Sequence, residues 1–398
     1  MAKQGGPGFF FMKRILFLEN GVTGGGSFDS LTQLVLNLDT EKYEPHVVFV
    51  NKTRFFDQCK DAGIQTYLLK DPLYTGLKLS VPRRAWFHAW HMLEKIHPRF
   101  WKISERMIHC TSMLRLRRIM RKANIDLVHV NDQPVRDLYA IILARSLRIP
   151  CVSFIRSDRA GKLSSYKKRF LNEVVDVFVA NSHYIKERWV HRGLKAENVV
   201  VVHNAITQEK VAAPAVMDNQ GFVLGCVSQF RKGKGHAFLL RAFRKIVKMR
   251  KNVHLLLVGD GPLLEDAKKL ASRLNIEMSV TFCGYQNNPL EWIKKMDLFI
   301  LPSEDEPFGR VVLEAMLMNV PVVATNGGGV PEIITHEKTG LLVEYNKDDE
   351  LSAAVFRCLD DEELRSRFAR SGRELVEREF SIEAHVKRVE NVYDNSLC

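Results

Sequence analysis

Cysteine is sparse and unpatterned in this chain. Cys59, Cys110, Cys151, Cys226, Cys283, Cys358 and Cys398 are odd in number, scattered, and never spaced as CxxC. A disulfide framework and a zinc ribbon are therefore excluded as organising principles, and a reducing cytosol fits best. Long apolar runs are also missing: no stretch reaches the roughly 20 uncharged apolar residues that cross a bilayer. The opening MAKQGGPGFFFMKRILFLEN holds only a short apolar run, interrupted by Lys13 and Arg14. It lacks the h-region and small-residue cleavage site of a signal peptide, and residues 1–11 read as a disordered extension. No HExxH, metal triad or nucleophile elbow is present, which removes the zinc peptidases and elbow hydrolases from consideration.

What is present is a chain of 398 residues, 46% hydrophobic and 26% charged, ordinary for a soluble protein and long enough to need two cores. Acidic residues are scarce in one place. Between Lys78 and Lys122 twelve Lys or Arg face only Glu94 and Glu105, so this stretch holds +10 of the net charge of +13. It also carries Trp86, Trp90 and Trp101, three of the five tryptophans, while the rest of the chain is near neutral.

Strand and helix patterns alternate throughout. Arg14–Glu19 reads as a strand entering the glycine-rich turn 21–26, followed by a helix from Ser27, its N-cap, to Leu38. His46–Val50, Thr66–Leu69, Asp126–Val130, Pro150–Ile155, Val175–Ala180 and Val199–His203 read as further buried strands. Thr207–Gln220 is polar, interrupted by Pro214 and without period: a linker. A second unit then opens as the first did, with a strand at Phe222–Val227, a Gly/Lys-rich loop and a helix at His236–Met249. Strands at His254–Val258, Ser279–Cys283, Leu298–Leu301, Val320–Ala324 and Gly340–Val343 complete it. The expectation is two α/β domains, each a parallel sheet covered on both faces. The tail Ile382–Leu397 has helical spacing and is expected to pack back across both domains.

The densest chemistry lies at 301–324, LPSEDEPFGRVVLEAMLMNVPVVA. Glu306 and Glu314 are eight apart, but Pro307 and Gly309 break the first turn, which puts Glu306 in a loop and Glu314 inside a helix. The N–H groups around Phe308–Val311 become helix-terminal donors suited to an anion or hydroxyl. Carboxylates at the carboxyl edge of a parallel sheet face the ligand crevice.

The run EPFGRVVLEAM (306–316) resembles the E-x7-E motif of family-four retaining glycosyltransferases with the GT-B fold. VPVVATNGGGVPEII…TGLLV (320–343), LLLVGDGPLLEDAKKLA (255–271), VTFCGY (280–285), IDLVHVND (125–132) and VVVVHNAI (199–206) are similar to other stretches of that family. The resemblance implies a GT-B fold: two Rossmann-like domains facing a central cleft, with a C-terminal helix crossing back to the first domain. Residues 12–206 would be the acceptor-side domain with a basic insert at 71–122, 207–220 the linker, 221–381 the donor domain, and 382–398 the returning helix.

Carried over, the resemblance places Glu306 at the donor sugar hydroxyls and Glu314 at the nucleotide ribose, with Pro307, Phe308, Gly309 and Arg310 lining the donor. SQFRKGKG (228–235) resembles the family's phosphate loop, with Lys234 on its lysine. Gln229 stands where an arginine is usual, and Arg231 is the substitute candidate; a fixed cation stabilises the charge that a departing diphosphate develops. The basic turn also reads as solvated surface. Gly24, Gly25 and Gly26 do not form a dinucleotide fingerprint, because the second strand ends in Asn51 and Lys52 rather than an acid. In the family this loop lets backbone approach the diphosphate and acceptor; a tight structural turn is the alternative. Asn204 is a further donor-side candidate. Arg156 replaces a frequent histidine and either contacts phosphate or an anionic acceptor, or pairs with Asp158. Asp297 and Asp305 do not make the Asp-x-Asp of the other glycosyltransferase fold, so the expectation is no metal and no cofactor.

The insert has three readings. Arg83, Arg84, Trp86, Trp90 and Trp101 suit an amphipathic helix on an anionic membrane. Packed tryptophans with solvated charges are the second, and phosphate contacts with nucleic acid the third; the sugar-donor motifs weigh against the last. The functional expectation is retaining transfer of a sugar from a UDP- or GDP-linked donor to a membrane-associated or envelope glycan or lipid, in the cytoplasm at the inner membrane face. A GT-B nucleotide-sugar epimerase on a soluble substrate and a non-catalytic membrane-bound binding protein are the alternatives.

Overall fold

Short runs of aliphatic and β-branched residues form strands here because amphipathic segments on either side cover them. In the computed structural model, residues 12–20, 26–69, 109–131, 133–158, 163–207 and 221–398 are described. The chain divides into two units. One takes the chain up to Asn181 together with Ile185–Val202 and His385–Cys398; the other takes Ser182–Tyr184 and His203–Ala384.

The first unit is built on β1 (Lys13–Glu19), β2 (Tyr43–Phe49), β3 (Gln65–Leu68), β4 (Leu127–Val130), β5 (Cys151–Ile155), β6 (Val177–Ala180) and β7 (Val199–Val201). They form one sheet, ordered β3-β2-β1-β4-β5-β6-β7, with parallel pairing. The second is built on β8 (Phe222–Val227), β9 (Val253–Val258), β10 (Val280–Gly284), β11 (Leu298–Leu301), β12 (Val322–Thr325) and β13 (Leu341–Val343). Its order, β10-β9-β8-β11-β12-β13, repeats the first pattern. β4, β5, β11 and β12 are buried along their whole length, as strands covered on both faces must be. Strand order reverses between β1 and β4, and again between β8 and β11. In such sheets ligands bind at the carboxyl ends of the strands flanking the reversal.

β8, β11, the helix His236–Met249 and the helix Ile382–Leu397 fall where the pattern places them. Most other strands shift by one or two residues at an end, and three boundaries have a clear physical reason. β2 starts at Tyr43, three residues before His46, because β1 pairs along it from Lys13↔Tyr43 while β3 joins only at His46↔Gln65. Pro45 is tolerated before the strand becomes central. β12 starts at Val322, since the Val320 N–H closes the preceding helix on Ala315. The first helix is Gly26–Leu36, so Ser27 is its second residue and not its cap.

Residues 385–398 return to the first unit. Tyr393 is fully buried there, its hydroxyl 2.6 Å from His129 Nδ1 and its ring edge-on to Tyr43. Of the basic stretch, the helix Cys110–Lys122 is described. It buries Ser112, Leu116 and Met120, and Arg115 donates to the Leu69 carbonyl at 2.6 Å. Leu114, Arg117, Arg118 and Arg121 share its exposed face. Arg83, Arg84, Trp86, Trp90 and Trp101, like Gly24, Gly25 and most of the linker, lie outside the described residues. Among the described residues no helix is long and apolar enough to cross a membrane.

Candidate active site

Because β8 and β11 are neighbours, the loops that leave them emerge side by side. The β8 loop is Ser228–Gly235 and the β11 loop Pro302–Gly309. The Glu304 N–H donates to the Gly233 carbonyl at 2.8 Å, tying the two together. Gly235 has φ +73°, and a Cβ on it would stand 1.8 Å from the Pro302 carbonyl oxygen. Only glycine allows this approach.

Lys234 and Glu306 meet across the two loops: the ammonium donates to Glu306 Oε2, and the side chains are 12% and 15% exposed. One of three ammonium protons is used in this pair, leaving donors for a phosphate. The Arg231 Nε is buried and has no hydrogen-bond partner among the described residues, whereas Gln229 is exposed. Glu306 lies in the loop and Glu314 within the helix Arg310–Leu317, which Gly309 caps at φ +99°. Arg310 Nε lies 3.4 Å from Glu314 Oε1, one turn along. Phe308 is buried, stacked on His203 at 5.6 Å, so only its backbone is available to a ligand. Asn204, beside His203, is buried as well.

A third segment shapes the loop from behind. Gly327, Gly328 and Gly329 lie on the Glu304–Pro307 backbone, and the Gly329 N–H donates to the Glu306 carbonyl at 2.8 Å. A Cβ would come within 2.4 Å of Glu304 O, 2.1 Å of Glu306 O and 2.6 Å of Pro307 O, respectively. The Pro307 carbonyl also accepts from Ser182 Oγ at 2.7 Å.

Other residues emerge only from the structure. His236, first in the helix after the β8 loop, stacks on Phe230 at 3.9 Å with its Nε2 3.0 Å from Ser228 Oγ. Burial, aided by Lys234, lowers its pKa to about 4 and keeps the ring neutral. Burial likewise pushes the Cys226 thiol up to about 11, against the pull of Ser228 and Lys234. The Glu332 carboxylate accepts from the N–H groups of His183 and Tyr184 at 2.8 and 2.9 Å, and lies 2.9 Å from His203 Nε2. Burial works to raise its pKa, but those hydrogen bonds outweigh it and hold the carboxyl below its usual value. His203 and Glu332 stand over a hundred residues apart in the HNAI and GGGVPE stretches, and nothing in their spacing signals that they meet.

In the first unit Arg156 stands at the carboxyl end of β5 and is buried. Its Nε donates to Asn131 Oδ1 at 2.9 Å, and Asn131 in turn donates to Glu19 at 2.9 Å. Its guanidinium lies 4.8 Å over the Phe154 ring. Asp158 instead takes Arg188 at 2.7 Å.

Residues 24–210 match the family model described as Glycosyltransferase Family 4, and residues 207–375 that of Glycosyl transferases group 1. The chain is 32% identical over 295 residues to N-acetyl-alpha-D-glucosaminyl L-malate synthase of Bacillus anthracis, covering 70% of this chain and 77% of the relative. This chain is a family-four glycosyltransferase. The glycosyltransferase has the GT-B fold: it superposes on the crystal structure of Anabaena Alr3699/HepE in complex with UDP and glucose with a TM-score of 0.75. That match covers 96% of the glycosyltransferase and 100% of the Anabaena chain at 20% identity. Lipopolysaccharide core biosynthesis glycosyltransferase LpsD of Rhizobium meliloti (strain 1021) is 33% identical over 177 residues, 44% of this chain and 50% of that relative.

Proposed function

We propose that the glycosyltransferase moves a hexose-type sugar from a UDP- or GDP-linked donor to a hydroxyl of a membrane-associated or envelope glycan or lipid, with retention and without a metal. The observation that carries the donor half is the Lys234–Glu306 contact at the carboxyl edge of the β8/β11 switch point. A nucleoside diphosphate arriving there brings charge that competes with Glu306 for the ammonium. Lys234 and Arg231 then face the diphosphate, and Glu306 is released to accept from sugar hydroxyls. Glu314, in the helix behind, would accept from the ribose, while the Gly309-capped helix N-terminus adds donor N–H groups. As the sugar–phosphate bond breaks, the cations stabilise the leaving diphosphate, the role otherwise filled by a divalent ion. In this reading the leaving phosphate takes the acceptor proton on the same face, which preserves the anomeric configuration.

The acceptor half rests on the basic stretch and on the first unit's Glu19–Asn131–Arg156 array. The Rhizobium relative is named for lipopolysaccharide core synthesis, which supports an envelope acceptor. The Bacillus relative is named as a glucosaminyl L-malate synthase, which supports a small anionic acceptor as the alternative. NMR of the product tests the chemistry. An α-linked donor is expected to give an α-linked product, at a rate not raised by added magnesium or manganese; an inverted product, or turnover that requires either ion, contradicts the mechanism.

A further inference from the structure

Behind the Glu304–Gly309 loop, three side chains with metal-ligating atoms converge from separate parts of the second unit. The ring nitrogens of His183 and His203 and a carboxylate oxygen of Glu332 all lie within 4.8 Å of one another. His183 opens the helix His183–His191, His203 follows β7, and Glu332 ends the 3-10 turn Val330–Glu332. We propose that His183, His203 and Glu332 form a binding site for a divalent transition ion of the zinc class.

Two imidazoles and one carboxylate are a donor set that suits zinc and leaves a fourth position for water. The same set disfavours magnesium and calcium, which take oxygen ligands. The site is also prepared in the way metal sites are. Glu332 is fixed by two backbone N–H donors, so its orientation is set before an ion arrives. His203 is held face-on to Phe308 and tilted against Phe380 at 5.7 Å. His203 Nε2 and Glu332 Oε2, now 2.9 Å apart, sit close to the spacing that two ligands of one ion adopt. His183 is exposed, which gives the ion an entry path. Among the described residues this is the one such cluster.

The site is distinct from the Lys234–Glu306 pair, and the proposal does not depend on the reading of that pair. Its test uses the untagged full chain, dialysed against zinc, with cobalt as a spectroscopic probe. The expected result is one zinc per chain and a visible cobalt absorption of the intensity that low-coordinate histidine ligation gives. His183→Ala, a change on the surface, and His203→Asn should each weaken zinc binding at least about tenfold, the loss that even an outer-shell change produces. Circular dichroism of each variant, matching the parent, separates loss of ligand from loss of fold. No zinc bound by the parent, or zinc bound equally by the parent and both folded variants, overturns the proposal.

Discussion

At the scale of single residues, charge and burial decide what each group does. His236 is the clearest case: its ring is closed in against Phe230 and beside Lys234, and its pKa falls to about 4. In the unfolded chain the same group titrates near the ordinary histidine value of about 6.5. Between those values the unfolded state binds the proton and the folded state does not, so stability falls as pH drops through this window. Above pH of about 6.5 the contribution is complete. His236→Gln should therefore flatten the acid limb of the stability–pH curve by about 2–3 kcal/mol. Urea unfolding of both proteins at pH 7 and pH 5 measures it; parallel curves would show that His236 is not held neutral. Arg156 teaches a related point. The sequence offered Asp158 as its partner, but Asp158 is taken by Arg188, and the Arg156 guanidinium is steadied by Asn131 and the Phe154 ring.

At the scale of elements, the site is three loops resting on one another. Gly328 shows how tightly: φ is +65° and a Cβ would stand 2.1 Å from the Glu306 carbonyl oxygen. Gly328→Ala must push the Glu306 loop away, and is expected to cost about 1–3 kcal/mol of stability from strain and to lower turnover more than folding alone explains. Stability and kcat measured on the same preparation check this; an unchanged kcat would free Glu306 from any dependence on that backing. Much of this scale was legible beforehand. Buried strands such as LFIL and FVLGCV announce themselves by unbroken apolar runs, and Pro307 with Gly309 divides loop from helix. What could not be read was contact between distant segments. That Gly327–Gly329 backs Glu304–Pro307, or that His203 and Glu332 meet, depends on strand order, which periodicity does not encode. The start of β2 at Tyr43 is a further case: the pairing from β1 carries the strand through Pro45, ahead of the apolar run at His46–Val50.

At the scale of the whole molecule, the chain is two parallel sheets of like strand order and one region of concentrated positive charge. The described part of that region, Cys110–Lys122, presents Leu114, Arg117, Arg118 and Arg121 on its exposed face. An anionic surface would gain about 1 kcal/mol from each such cation. The chain is expected to sediment with vesicles containing anionic lipid, and to be released as salt rises; sedimentation indifferent to lipid charge and salt would remove the membrane from the account. The donor site is the more central claim, and its most direct test is turnover across a panel of UDP- and GDP-sugars by the parent and by Lys234→Ala. The account predicts that the parent binds and consumes at least one of these donors, and that Lys234→Ala loses about 10²–10³-fold in kcat, the effect of removing one charge-stabilising donor. A parent that neither binds nor consumes any nucleotide sugar, or a Lys234→Ala protein as active as the parent, would contradict it.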